Sequence, residues 1–136
     1  TRRILLGTYA LSAGYADKLY KKAQKLRTIL IQEYEEALKI CDVLLSPVTP
    51  SLPSKIGEMI SDPLKNLLED LYTGTVNLVG APALVIPAGF SEKNLPIGLQ
   101  IVGKKFSEGE LFQFGYLYQQ ETDWHKRLPT ILKNEK

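Results

Sequence analysis

Residues Asn77–Gly103, NLVGAPALVIPAGFSEKNLPIGLQIVG, decide how the rest of the chain is read. Two apolar runs, Ala83–Ile86 and Ile97–Val102, each begin just after a proline. Between them lie Pro87, Gly89, the polar loop Ser91–Asn94 and Pro96. Short runs rich in β-branched residues and bounded by Pro and Gly are strands rather than helices. The loop is short enough to join them as antiparallel neighbours, so 83–103 reads as a strand hairpin. Gly80, Gly89, Gly98 and Gly103 mark places where the backbone turns sharply or another segment comes close. Both runs are apolar at successive positions, which predicts a sheet covered on both faces. The covering layers must come from the helices on either side.

Outward from the hairpin, the segment 1–12 reads as a short helix with Ile4, Leu5, Tyr9 and Leu11 on its apolar side. Gly7 and Ser12-Ala13-Gly14 weaken it and mark a bend or its end. A long helix over 15–40 carries one stripe at three- and four-residue steps: Leu19, Ala23, Leu26, Leu30, Tyr34, Ala37 and Cys41. Asp17 with Lys21 and Glu35 with Lys39 are spaced to pair along it. Cys41 is expected to end the stripe as a small buried side chain, a reactive thiol being the less supported reading. Val43-Leu44-Leu45 is a short strand stopped by Pro47, and Pro47, Pro50 and Pro53 force an extended path as far as Lys55. Asp62 and Pro63 stand in N-cap and N1 order for a helix over 62–73, with Leu64, Leu67, Leu68 and Leu71 inward and Gly74 interrupting it. A second helical piece, Val76–Val79, leads into the hairpin. Ser107 and Glu110 form a capping-box pattern for a helix over 108–120, whose stripe is Leu111, Phe114, Leu117 and Tyr118. The tail from Arg127 is expected to fray, with Pro129 a final break.

Composition narrows the function classes. The chain has 136 residues, 44% of them hydrophobic, the range of one compact segment. Its 17 basic and 15 acidic residues leave a net charge of +2, no electrostatic case for a nucleic-acid module. Lys21, Lys22, Lys25 and Arg27 cluster, but as the solvated outer face of a helix. The single cysteine rules out an intrachain disulfide framework and a cysteine-rich zinc site. The basic, apolar opening is not expected to be a processing segment, because Tyr15, Asp17 and Lys18 follow within a helix. No apolar run approaches the roughly 20 residues of a membrane-spanning helix. The first residue is Thr1, and the chain reads as a piece that starts in mid-sequence.

Chemistry is scarce. The serines lie in caps and loops, and none occupies a Gly-x-Ser-x-Gly elbow. His125, the only histidine, follows the last helix beside Trp124. No triad and no metal set can be assembled from these residues, and no glycine run has phosphate-cradling spacing. By themselves the residues describe a folded layer without a reactive centre.

Asn77-x-x-Gly80-x-Pro82, Pro87-x-Gly89 and Pro96-x-Gly98-x-Gln100-x-x-Gly103 agree at several fixed spacings at once, and in this the chain resembles the C-terminal half of the amidase signature family. Within that family, Arg2–Thr8, Ser12-x-Gly14-Tyr15, Tyr20–Lys25, Arg27-Thr28, Asp42-Val43, Pro47-x-x-Pro50, Ile56-Gly57-Glu58, Asp62-Pro63-Leu64, Asp70–Thr73 and Thr122–Lys126 resemble the family of glutamyl-tRNA(Gln) amidotransferase A subunits. The resemblance implies an α/β fold, the C-terminal portion of the amidase-signature fold, with a mixed β-sheet covered by α-helices. It implies a fragment of a catalytic subunit that hydrolyses glutamine. The serine, cis-serine, lysine triad of the family would precede these residues, so the fragment alone is expected to be inactive. The ammonia would pass to a partner subunit that amidates ATP-activated glutamate on misacylated tRNA.

The resemblance assigns two substrate-binding residues: Arg3 for the α-carboxylate of glutamine and Asp70 for its α-ammonium. A zwitterion needs one fixed cation and one fixed anion, and a guanidinium fork suits a carboxylate. Without the resemblance, Arg3 is a surface helix charge and Asp70 a solvated helix residue, and Arg2 takes the role if the register is off by one. No cofactor is expected in this chain, with ATP and Mg at a partner subunit. The implied partners are glutamine, the other amidotransferase subunits and, through the complex only, tRNA; no membrane is involved. The implied location is the cytoplasm, or an organelle in a eukaryote. Thr75, Val79, Ala81 and Ala88 depart from the family's usual pattern near the expected pocket wall. A general amidase acting on another amide and a non-catalytic interaction module remain as alternatives. An unpaired strand edge and an apolar face predict self-association of the isolated fragment.

Overall fold

The computed structural model describes residues 2–12, 16–57 and 63–129. In chain order these form helix α1 (Arg2–Leu11), a π-helical turn (Ala16–Tyr20), helix α2 (Lys21–Ile40) and strand β1 (Leu44–Pro47). Helices α3 (Pro63–Glu69) and α4 (Leu71–Val79), strands β2 (Ala83–Phe90) and β3 (Pro96–Val102), helix α5 (Glu108–Glu121) and a 3-10 turn (Trp124–Lys126) follow. The fold is mixed α/β.

The hairpin forms as the prolines and glycines predict. β2 pairs antiparallel with β3, Leu84 opposite Ile101 and Ile86 opposite Leu99. The register shifts by one between Pro87 and Gly89, and Gly89 takes φ +156°, a bulge conformation open to glycine. β1 joins the other edge of β3, so the sheet order is β1-β3-β2 with β3 central. At the start of the hairpin, Gly80 (φ +68°) ends α4 in the left-handed conformation and its N–H donates to the Val76 carbonyl.

The core lies between one face of this sheet and α5. Ile86, Ile101 and Leu111 are buried together, with Val43, Leu84, Leu99 and Tyr118 packed around them. α5 comes so close to β2 that a Cβ on Gly115 would stand 2.6 Å from Leu84 Cδ2. Its inner face is therefore Leu111, Gly115 and Tyr118, whereas Phe114 and Leu117, expected on that stripe, are exposed. The capping box does not form either. Ser107 occupies the N-cap position without a capping bond and donates instead to the Lys104 carbonyl (2.7 Å). The 103–107 turn thus uses its hydroxyl for its own closure.

The opposite sheet face is only partly covered, against the expectation of two covered faces. Gln100 is buried there and donates to Ser46 Oγ (3.1 Å), and Val102 is buried, but Val85 remains 53% exposed. A second small core joins α2 to α4 through the buried Leu38, Val76 and Val79. Leu38 is the buried residue that α2 contributes. Leu19 and Leu26 of the predicted stripe are exposed, and Cys41 is exposed rather than buried, its thiol donating to the Ala37 carbonyl (3.3 Å).

Two helix boundaries differ from the periodicity. The helix expected over 62–73 breaks at Asp70, and Gly74 lies inside α4 instead of interrupting it. Asp62 lies outside the described residues, so its cap role does too. The predicted inner residues Leu64, Leu67, Leu68 and Leu71 are all exposed. Glu35 does not pair with Lys39. Lys39 pairs with Glu36 (2.5 Å), and Glu35 reaches Lys105 across to the turn after β3 (3.0 Å). The chain from Arg127 is tied down: its guanidinium lies 4.2 Å from the Phe90 ring centroid and donates to Asn94 Oδ1 (2.6 Å). The segment 130–136 lies outside the described residues.

Candidate functional site

Asp70 is placed by the break between α3 and α4. Aspartate competes with helical hydrogen bonding and favours helix starts, and here it takes φ −86°, ψ 6° between the two helices. Its carbonyl accepts the Gly74 N–H at 2.7 Å, but its carboxylate caps no N–H of α4. The residue is exposed. A carboxylate placed at a helix corner and not used by the helix is available to a cationic group.

What holds that corner is α2. Tyr34 Oη donates to Thr75 Oγ1 (3.2 Å), and Thr75 Oγ1 donates to the Tyr72 carbonyl (2.9 Å). Arg27, read from the sequence as part of a solvated basic face, sends its Nε to the Leu78 carbonyl (2.6 Å). These bonds, together with the packing of the two helices against each other, fasten α4 to α2. The sequence departure at Thr75 thereby acquires a structural use, because its hydroxyl makes both bonds.

On the other side of Asp70 runs the proline-rich loop after β1. Val48 N–H donates to the Gly98 carbonyl of β3 (3.3 Å), and Thr49 Oγ1 donates to the Ser51 carbonyl (2.8 Å). Ser51 Oγ then donates to Glu69 Oε1, next to Asp70. Thr49, Ser51, Leu52, Pro53, Ser54 and Glu69 line a cavity of about 310 Å³. Another cavity, of about 280 Å³, lies between α2 and the end of β3, with Leu38, Val79, Lys104 and Lys105 among its lining residues.

Arg3, the other expected substrate contact, lies in the first turn of α1, and its side chain and that of Arg2 are outside what is described. α1 makes its substantial contacts with the π-helical turn and not with α3 or α4. His125 is exposed on the 3-10 turn and Cys41 is exposed at the end of α2. Among the described residues no three His, Cys, Asp or Glu side chains are grouped to hold a metal. No described helix is long and apolar enough to cross a membrane.

Sequence reasoning missed Ser51, Glu69 and the Tyr34–Thr75 bond. The only local signal was the density of Ser, Thr and Pro in 46–54, which marks a shaped loop without naming its partner.

The comparisons with known proteins agree along nearly the whole chain. It is 52% identical over 130 residues to the A subunit of glutamyl-tRNA(Gln) amidotransferase from Thermodesulfovibrio yellowstonii, covering 96% of this chain and 27% of that protein. The protein of the same name from a Nostoc species matches at 52% identity with the same coverage. The crystal structure of the Thermotoga maritima counterpart superposes with a TM-score of 0.69 at 44% identity, over 82% of this chain and 24% of the other. An allophanate hydrolase of Kluyveromyces lactis superposes with a TM-score of 0.67 at 33% identity, over 83% of this chain and 18% of the other. The chain thus spans 27% of the length of the curated relatives named here. Residues 1–112, from α1 into α5, match the family described as Amidase, and the chain belongs to that family.

Proposed function

We propose that the chain corresponds to a C-terminal part of the glutamine-hydrolysing A subunit of the amidotransferase that converts Glu-tRNA(Gln) to Gln-tRNA(Gln). The observation that carries this is the 52% identity to such subunits over 130 of its residues. In this reading the chain supplies pocket and core elements, and the serine, cis-serine, lysine triad belongs to the rest of the subunit. Asp70 receives the α-ammonium of glutamine and Arg3 its α-carboxylate. Released ammonia passes to a partner subunit, where ATP and Mg activate the glutamate of the misacylated tRNA; tRNA meets this chain only through the complex. The complex works in the cytoplasm, or in an organelle of a eukaryote, away from membranes.

A general amidase acting on another amide is the second reading, favoured by the likeness to an allophanate hydrolase. The two separate on ammonia release from glutamine by this chain, alone and mixed with the upstream portion of its subunit. Silence alone with activity on mixing is expected. Activity of the chain alone overturns the assignment of the nucleophile to the rest of the subunit. A mixture that associates and hydrolyses other amides but not glutamine moves the assignment to the general amidase; one that hydrolyses neither moves it to a non-catalytic module. By itself the chain is expected to self-associate through its exposed leucines, which sedimentation measures.

A further inference from the structure

We infer that Glu69 and Ser51 form a latch that sets the position of Asp70, so that Glu69 is a positioning residue for substrate binding. The inference rests on the reading of Asp70 as the ammonium-binding group. α3 packs little against the rest of the described chain: Leu64, Leu67 and Leu68 are all exposed, and its substantial contact is with α4. Helix packing therefore fixes only the α4 side of Asp70, through α2. The α3 side is fixed by a side-chain bond, Ser51 Oγ to Glu69 Oε1.

The far end of that bond belongs to a loop tied to the sheet. Ser51 belongs to the loop that leaves β1, and Val48 in this loop donates to the Gly98 carbonyl of the central strand. A Cβ on Gly98 would stand 2.7 Å from Val48 Cγ2, so the loop lies directly on the sheet. The path from β3 through Val48, Ser51 and Glu69 ends one residue from Asp70. It holds the α3–α4 corner to the sheet, while Tyr34 and Arg27 hold α4 to α2. Asp70 needs both, because a fixed anion discriminates a ligand only when its support is fixed. Glu69 also lines the cavity beside the loop, which offers a competing role: direct contact with the substrate cation.

The test is steady-state glutamine hydrolysis by the full-length subunit in its complex, with Ser51→Ala, Glu69→Ala, the double variant, Glu69→Gln and Asp70→Asn. A latch predicts that Ser51→Ala and Glu69→Ala each raise KM for glutamine about five- to tenfold with kcat little changed, the scale of one lost hydrogen bond. The double variant is expected to be no worse than either single one. Glu69→Gln keeps an oxygen that accepts from Ser51 and is expected to restore KM to within about twofold. Should Glu69→Gln fall as far as Glu69→Ala while Ser51→Ala stays normal, Glu69 meets the substrate through its charge and the latch is wrong. If Asp70→Asn raises KM but none of the Ser51 and Glu69 variants does, the latch falls and the role of Asp70 stands. An Asp70→Asn variant with unchanged KM overturns both.

Discussion

The sheet with α5 and the helices α1 and α3 are both written in apolar sequence, yet only the first became a core. Ile101 is fully buried and Ile86 and Leu111 nearly so, while Ile4, Leu5, Leu64 and Leu67 are 64% to 73% exposed. The hairpin brings its own partners: β1 and β2 flank β3, and α5 follows after one short turn and folds back over the same strands. α1 and α3 have apolar sides but no described surface to set them against. An apolar stripe specifies which side of a helix can be buried; burial itself requires a second surface in contact.

Deleting core volume is the most forceful way to break this comparison. Ile101→Ala is expected to cost about 2–5 kcal/mol, as a buried site that cannot collapse freely. Leu5→Ala in α1 should change the stability of this chain by less than about 0.5 kcal/mol. Denaturant unfolding of the two variants checks both, and equal losses would mean that α1 is packed in solution.

A glycine pair gives opposite signs from one chemical change. Gly98→Ala drives a methyl into Val48, which is stiff at χ1 and has little room to yield; a loss of about 1–3 kcal/mol is expected. Gly7→Ala in α1 meets nothing within 4 Å. There the gain in helix propensity should stabilise by up to about 1 kcal/mol. Thermal melting reads the signs, and a destabilising Gly7→Ala would reveal a neighbour over α1.

The α2–α4 contact is intermediate between the two regions and should respond in proportion. Tyr34→Phe removes the bond to Thr75 and is expected to cost about 1 kcal/mol. Hydrogen exchange should quicken in α4 and leave β3 unchanged. The same loss of protection in both would join the two small cores into one cooperative unit.

The smallest effect sits at the C-terminal turn. The bond from Lys126 (2.7 Å), and its charge, hold the Asp123 carboxyl below its ordinary pKa of 3.8. A carboxylate with a lowered folded-state pKa contributes stability above the unfolded value and loses it as pH falls through the folded one. Acidification below about pH 4 should therefore loosen the turn. Fluorescence of Trp124, the only tryptophan, follows it. Asp123→Asn should abolish that response while the Arg127 contact to Phe90 keeps the turn docked.

Part of this was legible in advance. Pro82, Pro96 and the β-branched runs located both strands, and the glycines marked where the backbone turns sharply or another segment comes close. The ends of α5 were readable within a residue or so. Asp70 was readable as a candidate only through its family resemblance, and its surroundings were not readable at all. Ser51 and Glu69 are eighteen positions apart and meet across an irregular loop. Tyr34 looked like one more member of an apolar stripe until Thr75 came within reach of its hydroxyl. Cys41 continued that stripe by period, but it stands exposed as the cap residue at the end of α2. Arg127 looked like a loose tail because nothing nearby in sequence says that Phe90 and Asn94 are its neighbours.

The sequence by itself determined the elements and their order: where prolines forbid helix, where glycines permit a turn, and which side of each helix is apolar. These are properties of backbone geometry and side-chain period within a few residues. The tertiary structure decided which apolar sides are covered, which charges pair, and what holds Asp70 in place. Those depend on surfaces arriving from dozens of residues away, and whether Glu35 reaches Lys39 or Lys105 is settled only by where the turn after β3 comes to rest.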